Sequence, residues 1–153
     1  MIKIIVAVDS KMGIADEHGL PWNVEADKKY YREKIKNSDI LMGRGVYDEL
    51  QEPPSSGNNY VLTHLEVVRE GFKKVDRIDD VINDSNDLWV IGGENVYQQM
   101  LEYTDQIYIT RIQGDFKCTK FFPEFEKDFI LSSSTDYENE DGIDFKFEIY
   151  NRK

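Results

Sequence analysis

The sequence predicts an α/β domain built on a mainly parallel sheet and closed at one edge by an antiparallel hairpin. Two observations carry this reading. Apolar, β-rich runs recur with helical stretches between them: "IKIIVAV", "DILMG", "NNYVLT", "LWVIGG" and "QIYITRI". Such alternation marks parallel strands, because each return to the same sheet edge needs a crossover. The last part then changes character. "DFILSSSTDY" and "IDFKFEIY" are two strand-like runs joined by the turn-rich "ENEDG". In the second run Ile143, Phe145, Phe147 and Ile149 alternate strictly with Asp144, Lys146 and Glu148, the pattern of a strand with one buried face.

Taken in order, the apolar run Ile4–Val8 follows Lys3 and stops at Asp9. It is too short for a signal peptide or a membrane span and reads as a buried first strand. "DSKMGIADEHG" (9–19) is long for a strand-to-helix connection, and loops of that length without structure of their own are often active-site loops. Helices are expected near 24–36, 44–50, 77–84 and 94–101. Pro21 stops the first from extending backward, and Asn23 is its expected N-cap. Ligands of open parallel sheets bind beyond the carboxyl ends of the strands, so residues after Val8, Met42, Thr63 and Ile91 are where a site is expected.

The 153 residues suit one domain spanning 1–153. A chain of this length buries about 68–70% of its unfolded surface, enough for a core without staples. Cys118 is the only cysteine, which rules out an intrachain disulfide and fits a reducing, cytoplasmic location. The net charge of −11 makes nucleic acid and anionic membrane poor general partners, so an anionic ligand must be met by a few local cations. His18 and His64 are the only histidines and lack metal-ligand spacing, so no metal is expected. A Gly-x-Ser-x-Gly elbow and a Gly-Lys-Ser/Thr phosphate loop are both missing.

Four constellations remain. On the first helix Val24, Tyr31 and Ile35 share a face; Asp27 lies on one flank and Lys28 on the other, and periodicity does not choose between them. Asp27 therefore reads either as an inward acid or as a solvated carboxylate favouring the helix start. "VIGGENVY" (90–97) is a strand running through Gly92 and Gly93 into a helix at Glu94, Asn95 and Val96. Paired glycines permit close approach of backbone to a ligand, and the helix start offers free N–H groups to a phosphate. "LMGRGVY" (41–47) has the same form, with Gly43, Arg44, Gly45 and Val46. "YVLTH" ends a third strand on Thr63 and His64. Three such strand ends suggest one extended ligand with several phosphates.

These segments resemble the dihydrofolate reductase family. "MGIADEHGLPWNVEAD", "LMGRGVY", "IGGENVY", "IYITRI", "KFFPEFEKDF" and the closing "FKFEIYNRK" match it in order along essentially the whole chain. The resemblance implies an eight-stranded α/β domain, expected as a monomer, that binds NADPH and a pteridine. Asp27 matches the acid that pairs with the pteridine 2-amino group and ring N3. Thr110 matches its hydroxyl partner, and Trp22 the residue holding a water nearby. Ile5, Ala7, Tyr31, Leu50, Ile91 and Tyr97 would line the ring pocket. Ile14 and Leu20 would belong to a loop over the nicotinamide, with Ala7, Gly43, Gly92, Gly93, Glu94, Asn95 and Val96 along the cofactor. Arg44, Gly45, Val46, Thr63 and His64 would meet its phosphates and adenosine end.

The sequence departs from the family at several points. The arginine that clamps the glutamate tail is absent, and "PPSSGNNYVL" has Gly57 or Asn58 at that place. Lys28 replaces an apolar neighbour of the acid, Ala15 a loop glycine, and Cys118-Thr119 a Gly-Asp pair. Arg32, then Lys28, are the expected substitutes for the tail contact, with Arg69 and Arg111 as more distant candidates. The alternative reading keeps the fold and NADPH but reduces a related pteridine or pyrimidine lacking the tail. A third reading is a binding module without catalysis, against which Asp27, Thr110 and the glycine pair all speak.

Overall fold

A computed structural model of the chain describes residues 1–83 and 87–153. The chain runs β1 (Ile2–Val8), β2 (Gly13–Ala15), α1 (Glu25–Ile35), β3 (Asp39–Gly43), α2 (Arg44–Glu49), β4 (Asn59–Leu62) and β5 (Lys73–Val75). It continues through α3 (Asp79–Ile82), β6 (Leu88–Val90), α4 (Glu94–Met100), β7 (Gln106–Ile112), β8 (Lys120–Phe121), β9 (Phe129–Ser134), β10 (Glu138–Glu140) and β11 (Ile143–Arg152).

The main sheet has the order β10-β11-β7-β1-β6-β3-β4-β5, with β9 also paired to β11. Because β9 and β10 pair with successive halves of β11, they share one edge position and the sheet is eight positions wide. Pairings from β7 across to β5 are parallel, and those of β11 are antiparallel. Parallel strands carry helices or connections on both faces, which accounts for the continuous burial of Ile40, Leu41 and Met42 and of Leu88, Trp89 and Val90. One core cluster packs around Ile4, Val8, Leu41 and Val90, a second around Ile5, Ile40, Met42 and Trp89. These residues alternate sides along β1, as the two-residue strand repeat requires.

Several local expectations are corrected. The loop after β1 has structure of its own: Gly13–Ala15 pairs with Lys120–Phe121. Its root is knotted by buried Asp9, whose carboxylate accepts N–H groups from Lys11, Gly13 and Phe116 at 2.8–3.0 Å. The helix expected over 77–84 is only Asp79–Ile82, and its last expected residue lies outside the described ones. "ENEDG" is mostly strand, with the reversal confined to Asp141 and Gly142, both at positive φ. Asn23 does not cap α1. The cap position falls one residue later, at Val24, which makes no side-chain cap hydrogen bond. Val24 is drawn into a cluster with Trp22, Ile112 and Phe145, and the first N–H groups turn instead to Glu140 of β10.

Candidate active site

A cleft of about 1080 Å³ opens along the carboxyl ends of β1, β3, β4 and β6. Pockets for a single ligand typically hold about 300–1,000 Å³, so this one has room for two flat molecules side by side.

At one end α1 presents Asp27, Lys28 and Tyr31, facing Ile5, Ala7, Leu50 and Ile91. Thr110, buried on β7, donates its hydroxyl to Asp27 Oδ1 at 2.6 Å. Burial raises the Asp27 pKa above the ordinary carboxylate value; the Thr110 bond pulls it down, and burial wins. Burial likewise pushes the Tyr31 phenol up to about 12, and Tyr30 beside it to about 12 with help from Tyr108 and Asp27. Tyr97 is also raised by burial, and its hydroxyl is engaged with the Ile5 carbonyl at 2.8 Å. These phenols stay neutral near pH 7. Trp22 packs behind the start of α1, edge-on to Phe116, and its buried Nε1 has no hydrogen-bond partner among the described residues. A buried donor of this kind is normally satisfied by water or a ligand.

The other end is built on glycines. Gly43 N–H donates to the Gly92 carbonyl at 2.7 Å, joining the ends of β3 and β6. Gly92 has φ +113, a conformation L side chains rarely adopt, and precedes a cis bond to Gly93. A Cβ on Gly93 or on Gly45 would meet nothing within 4 Å, so packing does not demand glycine at either place. Both border the cleft, where the missing side chains leave backbone open to a ligand. Arg44, Val46, Thr63, His64, Asn95 and Val96 line this end with them. Arg44 Nε donates to both oxygens of Asp48, at 2.9 and 3.1 Å. Glu94 accepts the Phe121 N–H at 2.7 Å and so ties α4 to β8, while Ile14 and Leu20 border the opening from the loop after β1.

A family model described as dihydrofolate reductase matches residues 1–152. The chain belongs to the dihydrofolate reductase family. It is 27% identical to dihydrofolate reductase of Bacillus subtilis (strain 168), with 100% of this chain and 95% of the relative aligned. It is 29% identical to the Buchnera aphidicola enzyme of the same name, over 82% of this chain and 80% of the relative. The Staphylococcus aureus protein of that name is 28% identical, over 88% and 86%.

Two of the departures from the dihydrofolate reductase pattern, at Gly57 or Asn58 and at Lys28, concern the expected tail contact, while Ala15 and Cys118-Thr119 meet at the β2–β8 pair. Gly57 is forced: a Cβ there would sit 2.5 Å from the Ser38 carbonyl oxygen, and Ser55, tied to Asn59, donates its hydroxyl to that same carbonyl and holds the loop against it. No arginine fits at 57 with this loop path. Arg32 is exposed on α1 and does not border the cleft, since one helical residue past Tyr31 rotates it by about 100°. Lys28 does border the cleft and lies 3.6 Å from Glu25. Arg111 is on the other face of β7, bonded to Glu148 at 2.6 Å and to Tyr150. Arg69 stacks on Tyr47 and donates to the carbonyls of Tyr47 and Leu50, the latter at the cleft rim.

Sequence reasoning missed Glu49, Asp76 and Lys120, which also border the cleft. Asp76 follows β5, whose end falls on the ligand side of the sheet. That three-residue strand, "KKV", has no hydrophobic pattern to reveal it.

Proposed function

We propose that this chain reduces 7,8-dihydrofolate to tetrahydrofolate with NADPH, hydride passing to pteridine C6 and a proton to N5. The observation that carries the reading is the Thr110–Asp27 pair, a lone half-buried acid with raised pKa at one end of a cleft whose other end is an open glycine cradle. Bound NADPH would supply the hydride. Gly45, Gly93 and Gly43 would admit its backbone-hugging parts, and Arg44, Thr63 and His64 its phosphates.

The chain's own residues would do the rest by placement. Thr110 holds one carboxylate oxygen, which leaves the other free to accept from a ring N–H or amino group. Ile5, Ala7, Tyr31 and Ile91 give the ring apolar walls that exclude water, and an acid with raised pKa is suited to assisting proton delivery near neutral pH. Trp22 Nε1, buried without an acceptor among the described residues, suits an ordered water beside the acid.

The tail region favours a second reading, in which the substrate is a related pteridine or pyrimidine without the glutamate. Position 57 has no room for an arginine, position 58 holds an asparagine, and Lys28 offers one flexible ammonium instead of a bidentate fork. The test is to follow NADPH absorbance with dihydrofolate and with a tail-less dihydropteridine. The first reading expects turnover with dihydrofolate at the higher kcat/KM. Turnover with the tail-less ring alone overturns it.

A further inference from the structure

We infer that Glu140 is a positioning residue for Asp27: its carboxylate clamps the first turn of α1 and so keeps the acid in register with Thr110. The inference rests on the reading of Asp27 as the ring-binding acid.

A helix start leaves its first N–H groups without partners inside the helix. In α1 the N–H groups of Asp27 and Lys28 turn back to the Val24 carbonyl, both at 3.1 Å. Those of Glu25 and Ala26 donate to the two oxygens of Glu140, at 2.6 and 3.0 Å. One carboxylate thus closes the turn that carries the acid. It does so with charge-assisted bonds at the positive end of the helix dipole, where a negative group is favoured. No residue adjoining the helix does this work, because Val24 at the cap position is committed to the core.

The hairpin holding Glu140 also sets the other member of the pair. Glu140 is opposite Ile143 across the turn, and β11 then aligns Phe147 with Thr110 of β7. Phe147 in turn stacks on Tyr30 of α1, ring centroids 4.2 Å apart, and Phe145 packs with Trp22 and Val24. The C-terminal hairpin therefore fixes Thr110 through sheet register and Asp27 through the helix start. The glycine end of the cleft is built from β3, β4, β6, α2 and α4, none of which relies on that clamp. This separation predicts an effect on the ring-binding end alone.

The experiment uses the full chain as Glu140→Ala and Glu140→Gln. Dissociation constants for dihydrofolate and NADPH are read by tryptophan-fluorescence quenching, alongside KM, kcat and amide exchange at Ala26. For Glu140→Ala we expect dihydrofolate affinity to fall about 3- to 30-fold, the range that loss of a helix cap produces. NADPH affinity should stay within about twofold, with faster exchange at Ala26. Glu140→Gln, which keeps one accepting oxygen, should fall between it and the wild type. The inference is overturned if dihydrofolate affinity is unchanged in Glu140→Ala, or if NADPH affinity drops by the same factor. Failure of the wild type to bind dihydrofolate would instead sink the reading of the cleft.

Discussion

The hydroxyl of Thr110 donates to Asp27 Oδ1 at 2.6 Å, joining residues 83 apart in the chain. Neither residue is remarkable alone. Together they form a half-buried acid with one oxygen held and one oxygen available, facing the aliphatic side chains of Ile5, Leu50 and Ile91.

Replacing that acid should remove proton assistance while keeping the shape. Asp27→Asn is expected to lower turnover of dihydrofolate at neutral pH by about 10²–10⁴-fold, the usual contribution of a positioned acid or base. Steady-state kinetics at pH 7 on protein checked by circular dichroism decides it. Turnover near that of the wild type would remove Asp27 from the chemistry.

The same substitution should stabilise the protein at neutral pH. Because burial raises the Asp27 pKa on folding, the folded state binds this proton more tightly than the unfolded chain does. The contribution of the protonated acid is fully present below its unfolded pKa and is lost as pH rises through the folded one. Above that window the buried charge opposes folding. Asp27→Asn should therefore melt at a higher temperature than the wild type at pH 8, and the gap should close as the pH falls toward the ordinary carboxylate range. Thermal melts at several pH values measure this; a gap that is constant or widens in acid contradicts it.

At the glycine end, Arg44→Ala should cut the preference for NADPH over NADH about tenfold. A charge-assisted hydrogen bond contributes roughly 1.5–3 kcal/mol, and the lower end applies because the arginine is half exposed and shared with Asp48. Dissociation constants for both nucleotides give the ratio. If the two weaken equally, Arg44 does not read the 2′-phosphate.

In the tail region, Gly57→Ala should already destabilise the fold, by about 1–3 kcal/mol, since its methyl would overlap the Ser38 carbonyl. Denaturant titration tests this. Lys28→Ala, by contrast, should leave stability alone and raise KM for dihydrofolate about two- to fivefold, as an exposed charge contact does, without changing KM for a tail-less ring. Equal changes for both substrates would take Lys28 away from the tail.

The parallel strands other than β5, the four helices and the strand ends after β1, β3, β4 and β6 were legible because each depends on local pattern: apolar runs, glycine punctuation and a 3.6-residue repeat. Asp27 was legible only as one of two flanks, and helical periodicity left it level with Lys28; Thr110, brought over by β7, distinguishes them in space. The short pairs β2–β8 and β5 were not legible, because two or three residues carry no periodicity and their partners are far along the chain. The helix cap was misread for the same reason. Asn23 is the residue local rules favour, but the core takes Val24, and a carboxylate 115 residues from Glu25 takes the N–H group. Arg32 lies off the cleft lining because a single helical step turns a side chain away from a neighbour that faces the cleft.

Gly57 also bears on how such a protein changes over generations. A position whose Cβ would collide with main chain cannot take an arginine in one step, however useful a tail clamp would be. The neighbouring path at Ser38 would first have to open, and opening it alone would give up the hydrogen bond from Ser55 with nothing in return. Improvement in carboxylate recognition is therefore steered to other positions on the rim, where one substitution meets no such barrier.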